Sequence, residues 1–361
     1  MATRIQQLVL TAWPVAILMI LIVLSSLVGV FGNEVLEREV ILALIYGILV
    51  VSLSMFTGNS GVFSFGHISF MAIGAYTTGL LSLSVQSKQI LLTELPSWLQ
   101  EAHLASTPAM LLGGALAALF AFLISIPLMR LSGIVAALAT FAVLNIVFVV
   151  SDNWTAVTGG SAGLSGVPIE TTLGKALLWV LIATAVAYAF QMSRWGLRLR
   201  SSREDEIASR SIGVGVHGER RIAFVLSAFF CGIAGGLFAQ FIGSFNAQSF
   251  YLTITFLVVV MLVVGGIKSL SGAVVGTIFI SAVSALLLRA ERGFDFIIHV
   301  PARPGIREVV LAVIMLTVLI LRPSGLTGGR EITWPFGRRA ILLSRPKRLA
   351  ASQVEPEASE A

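Results

Sequence analysis

Ten runs of apolar residues divide the chain, and polar or charged segments separate them. A helix rises about 1.5 Å per residue, so about 20 mainly apolar residues cross the roughly 30 Å of bilayer hydrocarbon. Measured against that length, the pattern predicts an all-α, polytopic membrane protein with about ten transmembrane helices. The predicted spans are 10–30, 40–57, 64–85, 108–129, 132–151, 174–192, 222–243, 252–267, 272–288 and 306–321.

One long, highly charged segment lies between two apolar runs of membrane-spanning length, from Arg194 to Arg221. It reads RWGLRLRSSREDEIASRSIGVGVHGERR and holds seven basic residues against four acidic ones. Loops with such a basic excess face the cytosol in membrane proteins. The segment is therefore predicted to be a central cytosolic loop.

A short helix is predicted inside this loop, from about Ser202 to Ile212. Acidic residues fill its first turn, where the helix dipole favours negative charge, and Gly213 follows its end. Its small and apolar residues share one face, namely Ile207, Ala208, Ser211 and Ile212. A short amphipathic helix in a cytosolic loop needs a surface to dock against.

The distribution of basic residues sets the expected orientation. With ten spans and a cytosolic N-terminus, 17 basic residues lie on the cytosolic side and seven lie outside, as the positive-inside rule requires. Both termini are then cytosolic. Residues 1–329 form the predicted transmembrane domain, and residues 330–361, which are basic and then rich in Glu, Ala and Ser, form a tail that we expect to be disordered.

The composition excludes an ordinary soluble protein, because 57% of the residues are apolar, 12% are charged and the mean hydropathy is +0.94. Soluble domains are about 25% charged. The net charge of +6 could indicate nucleic-acid binding, yet the basic residues lie between apolar runs and in the tail. They indicate topology and contacts with membrane lipid head groups instead, so no nucleic acid is expected as a partner.

Residues suited to catalysis are sparse. The four histidines lack metal-binding spacing, and no Gly-x-x-x-x-Gly-Lys-Ser/Thr loop is present. The chain is therefore not expected to be an enzyme, to hydrolyse ATP by itself, or to hold a metal or another cofactor. Charged residues are also nearly missing inside the spans, which argues against an ion-coupled carrier or channel. That class shares ten spans with glycine breaks and stays the less favoured alternative.

Neutral polar residues inside the spans are the candidates for a translocation pathway. An interhelical hydrogen bond, worth about 0.6 kcal/mol, is the simpler explanation for each of them. The candidates are Ser64, His67, Thr140 and Asn145.

Three polar, glycine-rich segments interrupt apolar sequence, at residues 57–61, 157–166 and 263–272. Irregular backbone at membrane depth is tolerated where it is buried in protein or lines a cavity. These segments are either parts of a pathway or gate, or ordinary surface turns. Gly232 and Gly236 are instead spaced for close approach between helices.

The sequence GVFSFGHISFMAIGAY at residues 61–76 resembles the signature of the permease subunits of branched-chain amino acid ABC importers, the LivM type. Further blocks along most of the chain are similar to that family. They are RLSGIVAALATFAV at 130–143, TGGSAGLSGVP at 158–168, EDEIASRSIGV at 204–214, AFVLSAFFCGIAGGLFA at 223–239, VVGGIKSLSGAVVG at 263–276 and RPSGLTGG at 322–329.

The resemblance implies that the central loop carries the ATPase-coupling motif of an ABC importer. Ala208 and Ser209 stand where two alanines are usual, and Val135 stands where relatives often have tyrosine. The residues implied in coupling are Glu204, Asp205, Glu206, Ile207, Ala208, Ser209, Ile212 and Gly213.

The resemblance also implies partners, a location and a class of solute. The partners are a second homologous permease, two cytosolic ATPase subunits and an extracytoplasmic solute-binding protein. The location is the bacterial cytoplasmic (inner) membrane, and the solutes are branched-chain or similarly apolar amino acids. Related permeases carry urea, short amides or other amino acids, and the residues of this chain do not distinguish among these solutes.

Overall fold

Helices account for nearly all regular structure in the computed structural model, which describes residues 2–291, 306–329 and 331. The first half of the chain forms α1 (Ala2–Val30), α2 (Glu34–Leu53), α3 (His67–Ser82), α4 (Val85–Leu91), α5 (Ser97–Glu101), α6 (Ser106–Leu128), α7 (Gly133–Asn153) and α8 (Thr155–Thr158). The second half forms α9 (Leu173–Met192), α10 (Arg194–Glu204), α11 (Glu206–Ser211), α12 (Val216–Ile242), α13 (Leu252–Gly265), α14 (Leu270–Glu291) and α15 (Ile306–Leu321).

Each of the ten predicted spans corresponds to a helix, which confirms an all-α, polytopic membrane protein. Within the described ranges, eight helical segments are long and apolar enough to cross a bilayer. The two shorter ones are α3 and α15, with 16 residues each. The predicted third span, 64–85, is wrong at its end, because Leu83 is extended and α4 leaves at 114° to α3.

The centre of the bundle is α12, which packs against α3 and α6, and these two helices also pack against each other. Glycines make this approach possible: a methyl group added at Gly74 of α3 would collide with the backbone of Gly232 on α12. Gly236, one turn along, lies where an added methyl carbon would stand 2.6 Å from the Thr78 hydroxyl. The predicted close packing at the Gly232 and Gly236 positions is therefore present.

A second layer forms around α2, which contacts α12, α9, α14 and α1. The middle of α2 is fully apolar and buried, with Ile45, Ile48 and Val50 each 0% exposed. The helix then widens into a π-helix at Ser54–Gly58, and the chain unwinds over residues 61–66 before α3 begins. The first of the three predicted interruptions thus lies where the π-helix ends and the irregular connection between α2 and α3 begins.

The other two interruptions are also irregular, and other parts of the chain hold them in place. In the 157–166 segment, Leu164 and Phe245 exchange two backbone hydrogen bonds of 2.9 Å. The turn between α13 and α14 is covered by the segment after α15, where the Leu326 N–H donates to the carbonyl of Val264. Glu331 then caps the start of α14, accepting hydrogen bonds from the backbone N–H groups of Leu270 and Ser271.

Candidate coupling surface and pathway residues

The predicted helix from Ser202 to Ile212 is wrong in one respect, because the structure divides this stretch into two helices. The first helix, α10, begins at the Ser193 cap and runs through Glu204. Asp205 then adopts an extended backbone, with φ of −150°, and starts α11 as its N-cap. The division arises because the Asp205 carboxylate accepts a hydrogen bond of 2.9 Å from the Ala208 N–H, which fixes a new helix start there.

The end of α11 is equally well defined. Gly213 has φ of +85°, a conformation that glycine adopts without a steric penalty. The Val214 N–H donates to the carbonyl of Ser209, and the Gly213 N–H donates to that of Arg210. This pair of bonds is the Schellman motif, which satisfies the last carbonyls of a helix. A helix of six residues therefore has both ends capped.

Glu206 anchors α11 to the bundle. Its carboxylate accepts hydrogen bonds from Arg210 at 2.6 Å, within α11, and from Arg220 at 2.8 Å, in the first turns of α12. The Arg220 side chain is 4% exposed, so this contact lies inside the protein. Partial burial raises the pKa of Glu206, but Arg220 and Arg210 outweigh that effect and leave the pKa below its usual value.

The outward face of α11 is apolar. Ile207 is 83% exposed and Ile212 is 77% exposed, and Ala208 and Ser211 beside them are exposed as well. We call these four residues the α11 surface. Ser209 faces the opposite way and is buried, with its hydroxyl 3.4 Å from that of Ser201 in α10. The α11 surface therefore projects from the bundle while α11 itself is held against it.

The remaining coupling candidate, Glu204, is exposed and pairs with its neighbour Arg203 at 2.9 Å. That hydrogen bond and the charge of Arg203 lower the pKa of Glu204. Arg203 also reaches the bundle, where its Nη1 donates to the carbonyl of Gly58 at 2.5 Å. The end of the π-helix that follows α2 thus contacts α10, the helix before α11, directly.

Among the pathway candidates, His67 and Ser64 lie together and are buried. His67 Nδ1 lies 2.8 Å from the Ser64 hydroxyl, and Nε2 lies 2.9 Å from the Ser227 hydroxyl on α12. The Ser227 hydroxyl donates to the carbonyl of Phe224, so its oxygen is available to accept from Nε2. Aromatic rings of Phe56, Phe70 and Phe224 surround the imidazole. In this conformation both nitrogens of His67 are engaged, and its part in a pathway stays a prediction.

Thr140 contacts the same unwound segment from α7. Its hydroxyl accepts a hydrogen bond of 3.2 Å from the Phe65 N–H, and its backbone carbonyl lies against Gly66. Asn145 lies further along α7, where its side-chain oxygen accepts a hydrogen bond of 2.7 Å from the Tyr251 hydroxyl. The structure therefore brings Ser64, His67 and Thr140 together around residues 61–66 and places Asn145 apart from them.

The family described as "Branched-chain amino acid transport system / permease component" matches residues 35–319. The chain belongs to this permease family. The permease is 28% identical, over 319 residues, to "High-affinity branched-chain amino acid transport system permease protein LivM" of Escherichia coli (strain K12), a match that covers 79% of this chain and 68% of that protein. The LivM protein of Salmonella typhimurium is 27% identical over 319 residues, a match that also covers 79% of this chain and 68% of that protein.

A more distant relative of the permease is "Probable branched-chain amino acid transport permease protein LivH" of Methanocaldococcus jannaschii, 25% identical over 170 residues, which are 46% of this chain and 50% of that protein. No solved structure matches the permease. The predicted resemblance to the LivM type is confirmed. Because the family is one of transport permeases, the chain is a multi-pass transport subunit of the inner membrane and not an enzyme.

Two interactions of the permease were not predicted from the sequence. From the sequence, Arg220 was interpreted only as one of the basic residues that set the membrane orientation. In the structure, its buried guanidinium is the partner of Glu206. At the opposite end of α12, Gln240 is fully buried and accepts a hydrogen bond of 2.6 Å from the Ser106 hydroxyl, and Lys175 donates to both residues. The one sequence signal for this second cluster was the presence of a glutamine within an apolar run.

Proposed function

We propose that the permease is a subunit of an ABC importer that moves branched-chain or similarly apolar amino acids across the bacterial cytoplasmic membrane. In this proposal two cytosolic ATPase subunits supply the energy, a second homologous permease completes the membrane part, and an extracytoplasmic solute-binding protein delivers the solute. The observation that carries the proposal is the α11 surface, where Ile207 and Ile212 are exposed on a helix with both ends capped.

Exposed isoleucines on a fixed helix are suited to docking. Removing an isoleucine side chain from water stabilises a complex by about 1.5–3 kcal/mol, and a preformed helix loses little further entropy on binding. Asp205 and Gly213 supply that preformation. Ile207 and Ile212 are both exposed in this chain. A partner subunit with a groove that buries both side chains therefore binds more tightly.

Two routes connect the α11 surface to the membrane part. Glu206 contacts Arg220 of α12, and Arg203 contacts Gly58 at the end of the π-helix that follows α2. Closure of ATP-loaded ATPase subunits would push on α11 and shift α12 and α2 together. Since Ser64, His67 and Thr140 lie around the break that follows α2, such a shift would alter their packing and expose them to the solute in alternating access.

The proposed orientation places both termini and the α11 surface in the cytosol, supported by the excess of basic residues on that side, 17 against seven. Cysteine labelling in a Cys231→Ala background tests this orientation. A cysteine introduced at Ser211 should react with a membrane-impermeant reagent only from the cytosolic side. Reaction from the outside of intact cells contradicts the orientation.

The proposed function is tested by purifying the tagged permease from native membranes and reconstituting it with the proteins that accompany it. The complex should contain an ATPase and a second permease, and the vesicles should take up labelled leucine when ATP is supplied on the ATPase side. The permease alone should not hydrolyse ATP. Uptake of urea or acetamide in place of leucine would assign a different solute, and uptake without any ATPase subunit would contradict the proposal.

A further inference from the structure

A cavity of about 430 Å³ lies between α1, α2, α9 and α14, within the membrane-spanning part of the permease. The cavity exists because the residues that line it on two helices are too small to fill the gap between α1 and α14. They are Ala43 and Gly47 on α2 and Ser281, Ala282 and Ala285 on α14. Ligand pockets of proteins usually measure about 300–1,000 Å³, so the cavity is large enough for a small organic group.

The walls of the cavity are aliphatic, with few polar groups. The Ser25 hydroxyl donates to the carbonyl of Ile22, and the Thr277 hydroxyl donates to that of Ala273, so both are satisfied within their own helices. The Ser281 hydroxyl has no hydrogen-bond partner among the described residues. One carboxylate, that of Glu39, lines the cavity, and among the described residues no lysine, arginine or histidine does.

This chemistry does not suit a zwitterionic amino acid. The carboxylate of such a solute would enter an apolar space without a cation, and burying an unpaired charge is strongly unfavourable. An uncharged hydrocarbon chain meets no such penalty and gains from every methylene group removed from water. The cavity therefore favours a flexible hydrocarbon ligand over the amino acids of the proposed function.

The position of the cavity indicates where such a chain comes from. The helices α1 and α14 both present large apolar side chains outward near the cavity, with Leu24 55% exposed and Leu286 64% exposed. Glu39 lies in the second turn of α2, whereas Gly58 beyond the other end of α2 contacts Arg203. The cavity thus borders the lipid and runs along α2 from Glu39 to Val51, with its Glu39 end away from the α11 surface.

We propose that this cavity binds one acyl chain of a phospholipid with a primary-amine head group. The chain fills the space between α1 and α14, and the half-buried carboxylate of Glu39 at the rim attracts the ammonium group of the lipid. With the orientation given under the proposed function, the lipid belongs to the outer leaflet. Binding holds α1 against α2 and α14, and it requires neither ATPase subunits nor solute.

Photolabelling of the intact permease tests the proposal, in nanodiscs that contain phosphatidylethanolamine with a diazirine on its acyl chain. Labelled peptides should contain residues 43–47 and 281–286. Ala282→Phe and Ala43→Phe fill the cavity from two different helices. Each should lower this labelling about tenfold, because at least two methylene groups of the acyl chain no longer fit in the cavity. Ala142→Phe, on the exposed face of α7, is the matched control and should leave the labelling unchanged.

The head group is tested with a phosphatidylglycerol probe, which has no amine. It should label the wild-type cavity less than phosphatidylethanolamine does, and Glu39→Gln should remove the difference. Gel filtration and thermal melting show that each variant is folded. Unchanged labelling in both filled variants, equal labelling by the two lipids in the wild type, or displacement of the probe by excess leucine contradicts the proposal.

Discussion

The carboxylate of Glu206 accepts a hydrogen bond of 2.8 Å from Nη2 of Arg220, and this contact joins a helix of six residues to one of 27. A helix of that length extends about 40 Å, enough to cross the bilayer. At its far end, Thr171 donates from its hydroxyl to the carbonyl of Leu237, and Ser106 donates to Gln240. One continuous helix therefore connects the Glu206 contact with the opposite side of the bundle, which is the route that the proposed function requires.

Glu206→Gln should loosen α11 from the bundle. Removing one partner of a buried ion pair costs about 3–5 kcal/mol, and the loss here should be smaller because Glu206 is partly exposed. Hydrogen–deuterium exchange of residues 206–214 should become faster in the variant. Glu204→Gln removes an exposed carboxylate next to Arg203 and is the control. Equal exchange in the two variants would show that the pair with Arg220 does not anchor α11.

The same contact predicts a dependence on pH. The pKa of Glu206 is lowered in the folded protein, so its contribution to stability is present above the usual glutamate pKa, about 4.3. That contribution is lost as the pH falls through the lowered value. Exchange of the 206–214 amides, corrected for intrinsic rates, should be constant from about pH 7 to pH 5 and should rise only under more acidic conditions. A rise between pH 7 and pH 6 contradicts this assignment.

Asp205→Ala should weaken docking without touching the docking surface. Loss of an N-cap costs about 1 kcal/mol, so α11 should fray and the affinity for the ATPase should fall by about fivefold. Asp205→Asn keeps an oxygen that can accept from the Ala208 N–H and should retain most of the affinity. The affinity is measured by titrating the purified ATPase onto the permease in nanodiscs. Identical weakening in both variants would assign the effect to the lost charge and not to the cap.

Gly74→Ala should destabilise the centre of the bundle, because the added methyl group meets the backbone of Gly232. Overpacking of this kind costs about 1–3 kcal/mol or more when the obstacle is backbone. The melting temperature in detergent should fall clearly. Gly174→Ala is the control, since no heavy atom lies within 4 Å of the added carbon, and its melting temperature should stay within error of the wild type. A wild-type melting temperature for Gly74→Ala contradicts the packing of α3 on α12.

The apolar pattern was sufficient to predict the spans, because each buried or lipid-facing helix must satisfy its backbone internally and needs a long apolar run. The break after α3 was not predictable in that way. Leu83 continues the apolar run, and the bend depends on Ser84, whose hydroxyl accepts a hydrogen bond from the Ser87 N–H to start α4. Composition alone does not distinguish a serine that caps a helix from one inside it.

The central cytosolic loop, from Arg194 to Arg221, also could not be predicted in full from its composition. The three acids at 204–206 suit the first turn of one helix, and only the extended backbone of Asp205 shows that it is a cap between two helices. Helix α12 begins at Val216, six residues before the predicted span, so Arg220 lies inside it. Its pairing with Glu206 joins residues that are 14 positions apart, a contact that depends on how α11 folds back along α12.

The most direct test of the coupling role is to place a charge on the α11 surface. In Ala208→Glu the side chain points outward, so membrane insertion and thermal stability should stay normal. An unpaired charge buried at a docking surface costs several kcal/mol, so ATPase binding should fall by about 100-fold or more. Ser201→Glu, on α10 and outside the α11 surface, should have a mild effect by comparison.

For both variants, the measurement is the amount of ATPase that co-purifies with the permease, together with leucine uptake by the reconstituted complex. The account predicts that Ala208→Glu loses both the ATPase and uptake, while Ser201→Glu keeps most of each. An Ala208→Glu permease that retains its ATPase and transports leucine at the wild-type rate contradicts the coupling role of α11.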